Sequence, residues 1–207
     1  MILKKNYLKR KLNKTATYRA IVIGTSSGGL YALKQLLPAL PKDFPCPLII
    51  VQHMSPHSDN YMSKMLNEIS QIKVKEADEK EAILPGVAYI APPDYHLMVE
   101  PDETLSLSVD NKVNYSRPSI DVLFETAAET YHRQLIGIVL TGANADGAAG
   151  LLSIKKAGGY TIVQEPEDAD SPAMPTAAIQ MSKPNSILTL KEIIKALLRP
   201  GFVMPPR

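Results

Sequence analysis

Apolar positions along the 207-residue chain follow two alternating rhythms. Short continuous runs at Ala20–Ile23, Leu48–Val51, Leu135–Leu140 and Tyr160–Val163 are bounded by glycine, proline or polar residues. Such runs mark strands buried on both faces. Between them, spacings of three and four residues predict helices. Leu30, Leu33, Leu36 and Leu37 share one face, as do Tyr61, Met62, Met65, Leu66 and Ile69. Further helices are predicted from Ile120 to about Arg133, from about Ala148 to Ala157, and from Leu190 to Leu198, with a short one around Pro175. Leu37-Pro38-Ala39-Leu40-Pro41 closes the first helix, Ser58 or Asp59 caps the second and Ser119 the third, and Gly158-Gly159 ends the fourth. Ile72–Val74 and Ile187-Leu188 read as short strands. After Pro85-Gly86 the rhythm changes: Val87–Ala91 is followed by His96–Glu100 and Thr104–Val109, which pair around Pro101-Asp102-Glu103. The alternation predicts an α/β fold, a doubly wound, mostly parallel sheet with helices on both faces and an antiparallel hairpin at one edge.

Length and composition suit one such domain, with 45% hydrophobic and 21% charged residues. No apolar run approaches the roughly 20 residues that cross a membrane. The net charge of +2 hides an asymmetry. Residues 1–17 carry Lys4, Lys5, Lys9, Arg10, Lys11 and Lys14 and no acid, which leaves 17 basic against 21 acidic residues in the rest. The leader lacks the apolar core of a signal peptide and reads as a basic, partly disordered segment, with a docking arm for an acidic surface as the alternative. Residues 18–200 form the predicted domain and 201–207 a Pro-rich tail. The mildly acidic body argues against a nucleic-acid substrate. Cys46, the single cysteine, forbids an intrachain disulfide, fits a reducing cytoplasm and sits where packing explains it.

Chemistry concentrates at Arg19–Gly29, R-A-I-V-I-G-T-S-S-G-G. A strand, a tight turn and a helix start place Ser26 at the carboxyl end of a parallel strand, where open α/β sheets bind ligands. A dinucleotide site would need G-x-G-x-x-G and an acid after the next strand, which ends V-Q-H instead, and a Walker loop would need Gly-Lys-Ser/Thr. A nucleophile elbow, G-x-S-x-G, is nearly met by Gly24-Thr25-Ser26-Ser27-Gly28. Taken alone, a serine here is more often a helix cap. His53 and Asp146 change that balance, because each also lies just past a buried strand and would meet Ser26 at the same sheet edge. Serine needs a base within reach and an acid to orient that base. The order Ser, His, Asp differs from that of the α/β-hydrolases.

Five co-linear stretches carry a resemblance. I-G-T-S-S-G-G, V-Q-H-M, L-P-G-V-A-Y-I-A-P, R-P-S-I-D-V-L-F and L-T-G-A-N-A-D-G-A-A-G resemble, in order from about Arg19 to Leu198, those of the chemotaxis protein-glutamate methylesterases, the CheB family. The resemblance implies Ser26 as nucleophile, His53 as general base and Asp146 as the residue orienting it. Ser27 stands where the family usually has threonine and keeps its hydroxyl. With Gly28, Ala143 and Arg117 it is expected around the oxyanion and substrate, with Arg117 divided between loop structure and steering an acidic receptor. Ala143 replaces a common methionine and Ala145 an asparagine. The implied activity is demethylation of glutamate methyl esters on chemoreceptor-type cytoplasmic helices, with deamidation of receptor glutamine as a side activity. A methyltransferase or a separate response regulator is the implied partner. The rival is a non-catalytic module that binds a methyltransferase or sensor kinase. Only 18 residues precede Arg19, too few for the receiver domain many members carry, so no switching by phosphorylation in cis is expected. No cofactor or metal is expected: His57, His96 and His132 show no ligand spacing. His57 reads as a surface residue, His96 as a strand or loop residue that could line the cleft, and His132 as a helix end.

Overall fold

The computed structural model describes residues 18–58 and 60–199. The basic leader, Asp59 and the Pro-rich tail lie outside the described residues. Seven strands form one sheet: β1 (Ala20–Thr25), β2 (Leu48–Gln52), β3 (Lys73–Glu76), β4 (Val87–Ile90), β7 (Leu135–Val139), β8 (Tyr160–Gln164) and β9 (Ser186–Leu188). Their order is β3-β4-β2-β1-β7-β8-β9, every pair parallel. β2, β3 and β4 build one side of β1, with β4 set inside β3, and β7, β8 and β9 follow in order on the other, so β1, flanked by β2 and β7, is the switch point of a doubly wound sheet.

The apolar runs become strands because both faces are covered. On one face β1 and β2 pack against α1 (Gly29–Ala39), α2 (Tyr61–Ile69) and α6 (Leu190–Leu197), through Leu33, Leu36, Leu66 and Ile193. On the other they meet α3 (Ile120–Tyr131), α4 (Ala148–Lys156) and α5 (Ala173–Ser182), through Leu123, Phe124, Leu151 and Ala178. β5 (His96–Val99) and β6 (Leu105–Ser108) are the predicted hairpin. It forms a two-stranded sheet of its own, with Leu97 and Val99 packed into the same cluster as α3. β4 is an interior parallel strand between β3 and β2. Cys46 is buried, with its Sγ 3.1 Å from the Tyr18 carbonyl oxygen.

Two cap assignments change. α2 begins at Tyr61 with Asn60 at the N-cap, beyond Ser58 and Asp59. Ser119 does occupy the N-cap of α3, but its side chain does not cap the helix. Its hydroxyl is turned to a carboxylate from another part of the chain. α6 carries a capping box that the apolar spacing did not reveal, between Thr189 and Glu192.

Candidate active site

The carboxyl ends of β1, β2 and β7 converge. β1 and β2 pair up to Thr25 opposite Gln52, so Ser26 and His53 are the next residues out on neighbouring strands. The turn between β1 and α1 is tied on three sides. Ser26 N–H donates to the Thr141 carbonyl at 3.0 Å, Thr25 Oγ1 donates to the same carbonyl at 2.9 Å, and Gln52 Nε2 donates to the Ser26 carbonyl at 2.9 Å. Gly28, at φ +80°, is the N-cap of α1. A side chain there would also meet Asp170, whose Cβ lies 2.6 Å from where a Gly28 Cβ would be. This position therefore needs glycine for both conformation and space. Among the described residues, the Ser27 and Gly28 N–H groups make no hydrogen bond, which leaves them able to receive an oxyanion beside Ser26.

His53 is anchored from the opposite side. Its Nε2 lies 2.8 Å from Asp146 Oδ2, with the two side chains 12% and 0% exposed. Asp146 follows β7, and four other donors converge on its carboxylate. Oδ2 accepts the Ile120 N–H at 2.7 Å; Oδ1 accepts the Ser119 hydroxyl at 2.9 Å, the Asp121 N–H at 3.2 Å and the Gly147 N–H at 3.1 Å. The carboxylate thus does the work of an N-cap for α3, and the positive end of that helix faces it. Burial opposes its ionisation. The hydrogen bond from His53 and those from Ile120 and Ser119 outweigh burial and hold the carboxyl below its usual range. An ionised carboxylate only accepts, so Nε2 carries the ring proton and Nδ1 presents a lone pair. Among the described residues, no hydrogen bond joins Ser26 Oγ to the ring. Nδ1 instead lies 3.3 Å from Asn144 Nδ2. Such contacts commonly close only when substrate arrives.

Gly24 explains how α3 reaches Asp146. A Cβ on Gly24 would lie 2.2 Å from Ile120 Cγ2, so a bare backbone is what admits the first turn of α3 onto the end of β1. Asp121, in that same turn, is a second buried carboxylate. It accepts the Gly150 N–H at 2.7 Å and the Asn114 amide at 3.0 Å. Burial, with the neighbouring charges of Asp146 and Glu125, pushes it up to about 6 against the Gly150 bond.

The remaining sequence candidates fall in different places. Ser27 is exposed beside Ser26. Ala143 is exposed and lines a shallow cleft of about 460 Å³ with Asp170, Ser171, Pro172, Ala173 and Thr176. Arg117 does not project into solvent as a steering charge. Its guanidinium donates to Asp94 at 2.9 and 3.1 Å and to the carbonyls of Val109 and Asp110 at 2.6 and 3.0 Å, and so braces the loop before α3. His96 is 2% exposed and fully engaged in the fold: Nδ1 accepts the Ser119 N–H at 3.2 Å and Nε2 faces the Asn111 carbonyl at 3.1 Å. His57 is exposed, and His132 caps the end of α3. Among the described residues no group of three or more His, Cys, Asp or Glu could hold a metal, and no helix is long and apolar enough to cross a membrane. Ser119, Asp121, Asn144 and Asp170 escape a reading by motif chemistry. Ser119 and Asp121 could have been found through R-P-S-I-D, whereas Asn144 and Asp170 leave no signal in spacing.

Residues 21–197 match the profile of the family described as CheB methylesterase. A Leptospira interrogans protein, whose name gives protein-glutamate methylesterase/protein-glutamine glutaminase provisionally, is 50% identical over 182 residues, 88% of this chain and 94% of that one. The protein-glutamate methylesterase/protein-glutamine glutaminase of Photorhabdus laumondii is 42% identical over 183 residues, and there the match spans 87% of this chain but only 52% of the relative. The crystal structure of the Thermotoga maritima CheB methylesterase catalytic domain superposes with a TM-score of 0.84 at 34% identity, covering 87% of this chain and 97% of that domain. With the profile match, the sequence identity and the superposition in agreement, this chain belongs to the CheB methylesterase family.

Proposed function

We propose that this protein is a serine hydrolase that removes methyl groups from glutamate methyl esters on the cytoplasmic helices of chemoreceptor-type proteins. The observation carrying this reading is the 2.8 Å His53–Asp146 pair at the mouth of the sheet, with His53 and Ser26 the next residues past the paired ends of β2 and β1. Ser26 Oγ attacks the ester carbonyl and its proton passes to His53 Nδ1. The Ser27 and Gly28 N–H groups receive the developing oxyanion. As the carbon–oxygen bond to the methoxy group breaks, His53 returns the proton and methanol leaves. Water, deprotonated by His53, then cleaves the glutamyl ester on Ser26 and frees the carboxylate. Asp146 stays ionised throughout and stabilises the imidazolium. The same steps with ammonia as leaving group deamidate glutamine. Such a substrate places the enzyme in the cytoplasm, alongside a methyltransferase acting on the same helices.

The test is release of labelled methanol from methylated receptor. Ser26→Ala should lower turnover by about 10⁴- to 10⁶-fold. Ser27→Ala removes only a neighbouring hydroxyl and should cost roughly 10- to 1000-fold. A wild-type protein that binds the receptor but releases no methanol would instead mark a non-catalytic module. A dead Ser27 variant beside an active Ser26 variant would move the nucleophile.

A further inference from the structure

The ring nitrogen that should take the Ser26 proton is already engaged. Asn144 lies in the exposed turn between β7 and α4, with its Nδ2 3.3 Å from His53 Nδ1. Its Oδ1 accepts the Asp146 N–H at 3.1 Å. That second bond decides which end of the amide faces the ring, because only the oxygen can accept. Asp146 holds the ring proton on Nε2, so the contact at Nδ1 is Asn144 donating N–H to the ring lone pair. One lone pair accepts one good hydrogen bond, and Asn144 and the Ser26 hydroxyl therefore compete for it. Ala143, the residue before Asn144, lines the cleft with Ser171 and Pro172. A chain entering that cleft touches the same turn. The Asn144 bond is long and exposed to water, so a bound chain can displace it.

We infer that Asn144 is a resting-state latch on the base: it occupies His53 Nδ1 in the empty enzyme and lowers the reactivity of Ser26 until substrate moves the turn. The inference rests on the reading of Ser26 as nucleophile and His53 as base. A small fluorophosphonate tests it without the receptor: the Ser26 Oγ–phosphorus bond forms, the phosphorus–fluorine bond breaks, fluoride leaves, and the hydroxyl proton goes to His53 Nδ1. Two variants separate the latch from the turn it belongs to. Asn144→Ala removes both bonds. Asn144→Ser keeps an acceptor for the Asp146 N–H in the manner of a serine turn, but cannot reach the ring as a donor. The serine variant decides. It should be phosphonylated about two- to tenfold faster than wild type, the range expected for loss of one exposed hydrogen bond. A lost or merely propped side chain would not raise the rate. A serine variant no faster than wild type overturns the latch and leaves the esterase reading standing. If Ser26→Ala is labelled as readily as wild type, or wild type is not labelled at all, the nucleophile assignment fails and the latch falls with it.

Discussion

Asp146 combines two duties in one carboxylate: it orients His53 and it closes the first turn of α3. Replacing it with asparagine keeps the shape but turns an NH2 group toward backbone donors. The amide oxygen can still face His53 and Ile120, and the NH2 then confronts the N–H groups of Asp121 and Gly147. Asp146→Asn should therefore lower turnover by roughly 10²- to 10⁴-fold, towards the loss seen when the orienting acid of a serine triad is replaced, and also cost about 1–3 kcal/mol of stability. Methanol release and denaturant melts of one preparation check both. An unchanged melt would mean that the converging donors find other partners. Asp121 makes the opposite prediction. Its carboxyl is raised in the fold to about 6, so the fold favours the protonated form. That contribution is complete below the unfolded value of about 3.9 and is lost as pH rises through about 6. Asp121→Asn, which cannot ionise, should gain in Tm relative to wild type between pH 4.5 and pH 7. A constant difference in Tm across that range would show that Asp121 does not titrate there.

At the level of elements, the site depends on how closely α3 approaches β1. Gly24 is the contact, with Ile120 filling the space a side chain would take. Gly24→Ala overpacks a buried junction and should destabilise by about 1–3 kcal/mol. Because Ile120 also supplies an N–H to Asp146, the same shift should lower turnover more than it raises KM. Loss of stability with full kcat would detach the seating of α3 from catalysis. Arg117 acts just before α3, holding the preceding loop through Asp94 and two carbonyls. The two readings of that arginine from sequence, loop brace and steering charge, are separated by where its donors point, and a linear pattern does not contain that direction.

Across the whole molecule, stability is graded from centre to edge. β1, β2 and β7 are fully buried, whereas β9 has three half-buried or exposed residues and one neighbour. Backbone amides of the central strands should exchange with solvent only through global unfolding, and those of β9 through local opening at much lower cost. Amide exchange read by mass spectrometry would show this as slow protection at the base of the site and fast exchange at that edge. Equal protection of β9 and β1 would contradict it. The grading holds the turn carrying Ser26 and the strand end carrying His53 on the most rigid part of the sheet. The turn carrying Asn144, with exposed residues at Ala143, Asn144 and Ala145, lies beside it on the surface.

Much of this was legible in the linear chain because it depends on short-range regularities. Continuous apolar runs against spacings of three and four residues distinguish buried strands from helices, and strand-end residues of a parallel sheet share one edge whatever the details of packing. The strand-end positions of Ser26, His53 and Asp146 therefore group them in the linear chain, and the family motifs agree. The tertiary structure decided what depends on direction and on distant partners. β4 entered the sheet between β3 and β2 although the two strands that follow it form a hairpin, since strand order follows from packing rather than from succession. Ser119 turned from its own helix to Asp146 because a buried carboxylate needs donors more than an N-cap already facing that carboxylate needs a hydroxyl. The side of the His53 ring that holds the proton, and the asparagine that meets the other side, follow from three hydrogen bonds between segments about 90 residues apart or adjacent in one turn. No spacing rule encodes those bonds, because each depends on where the folded chain leaves a donor facing an acceptor.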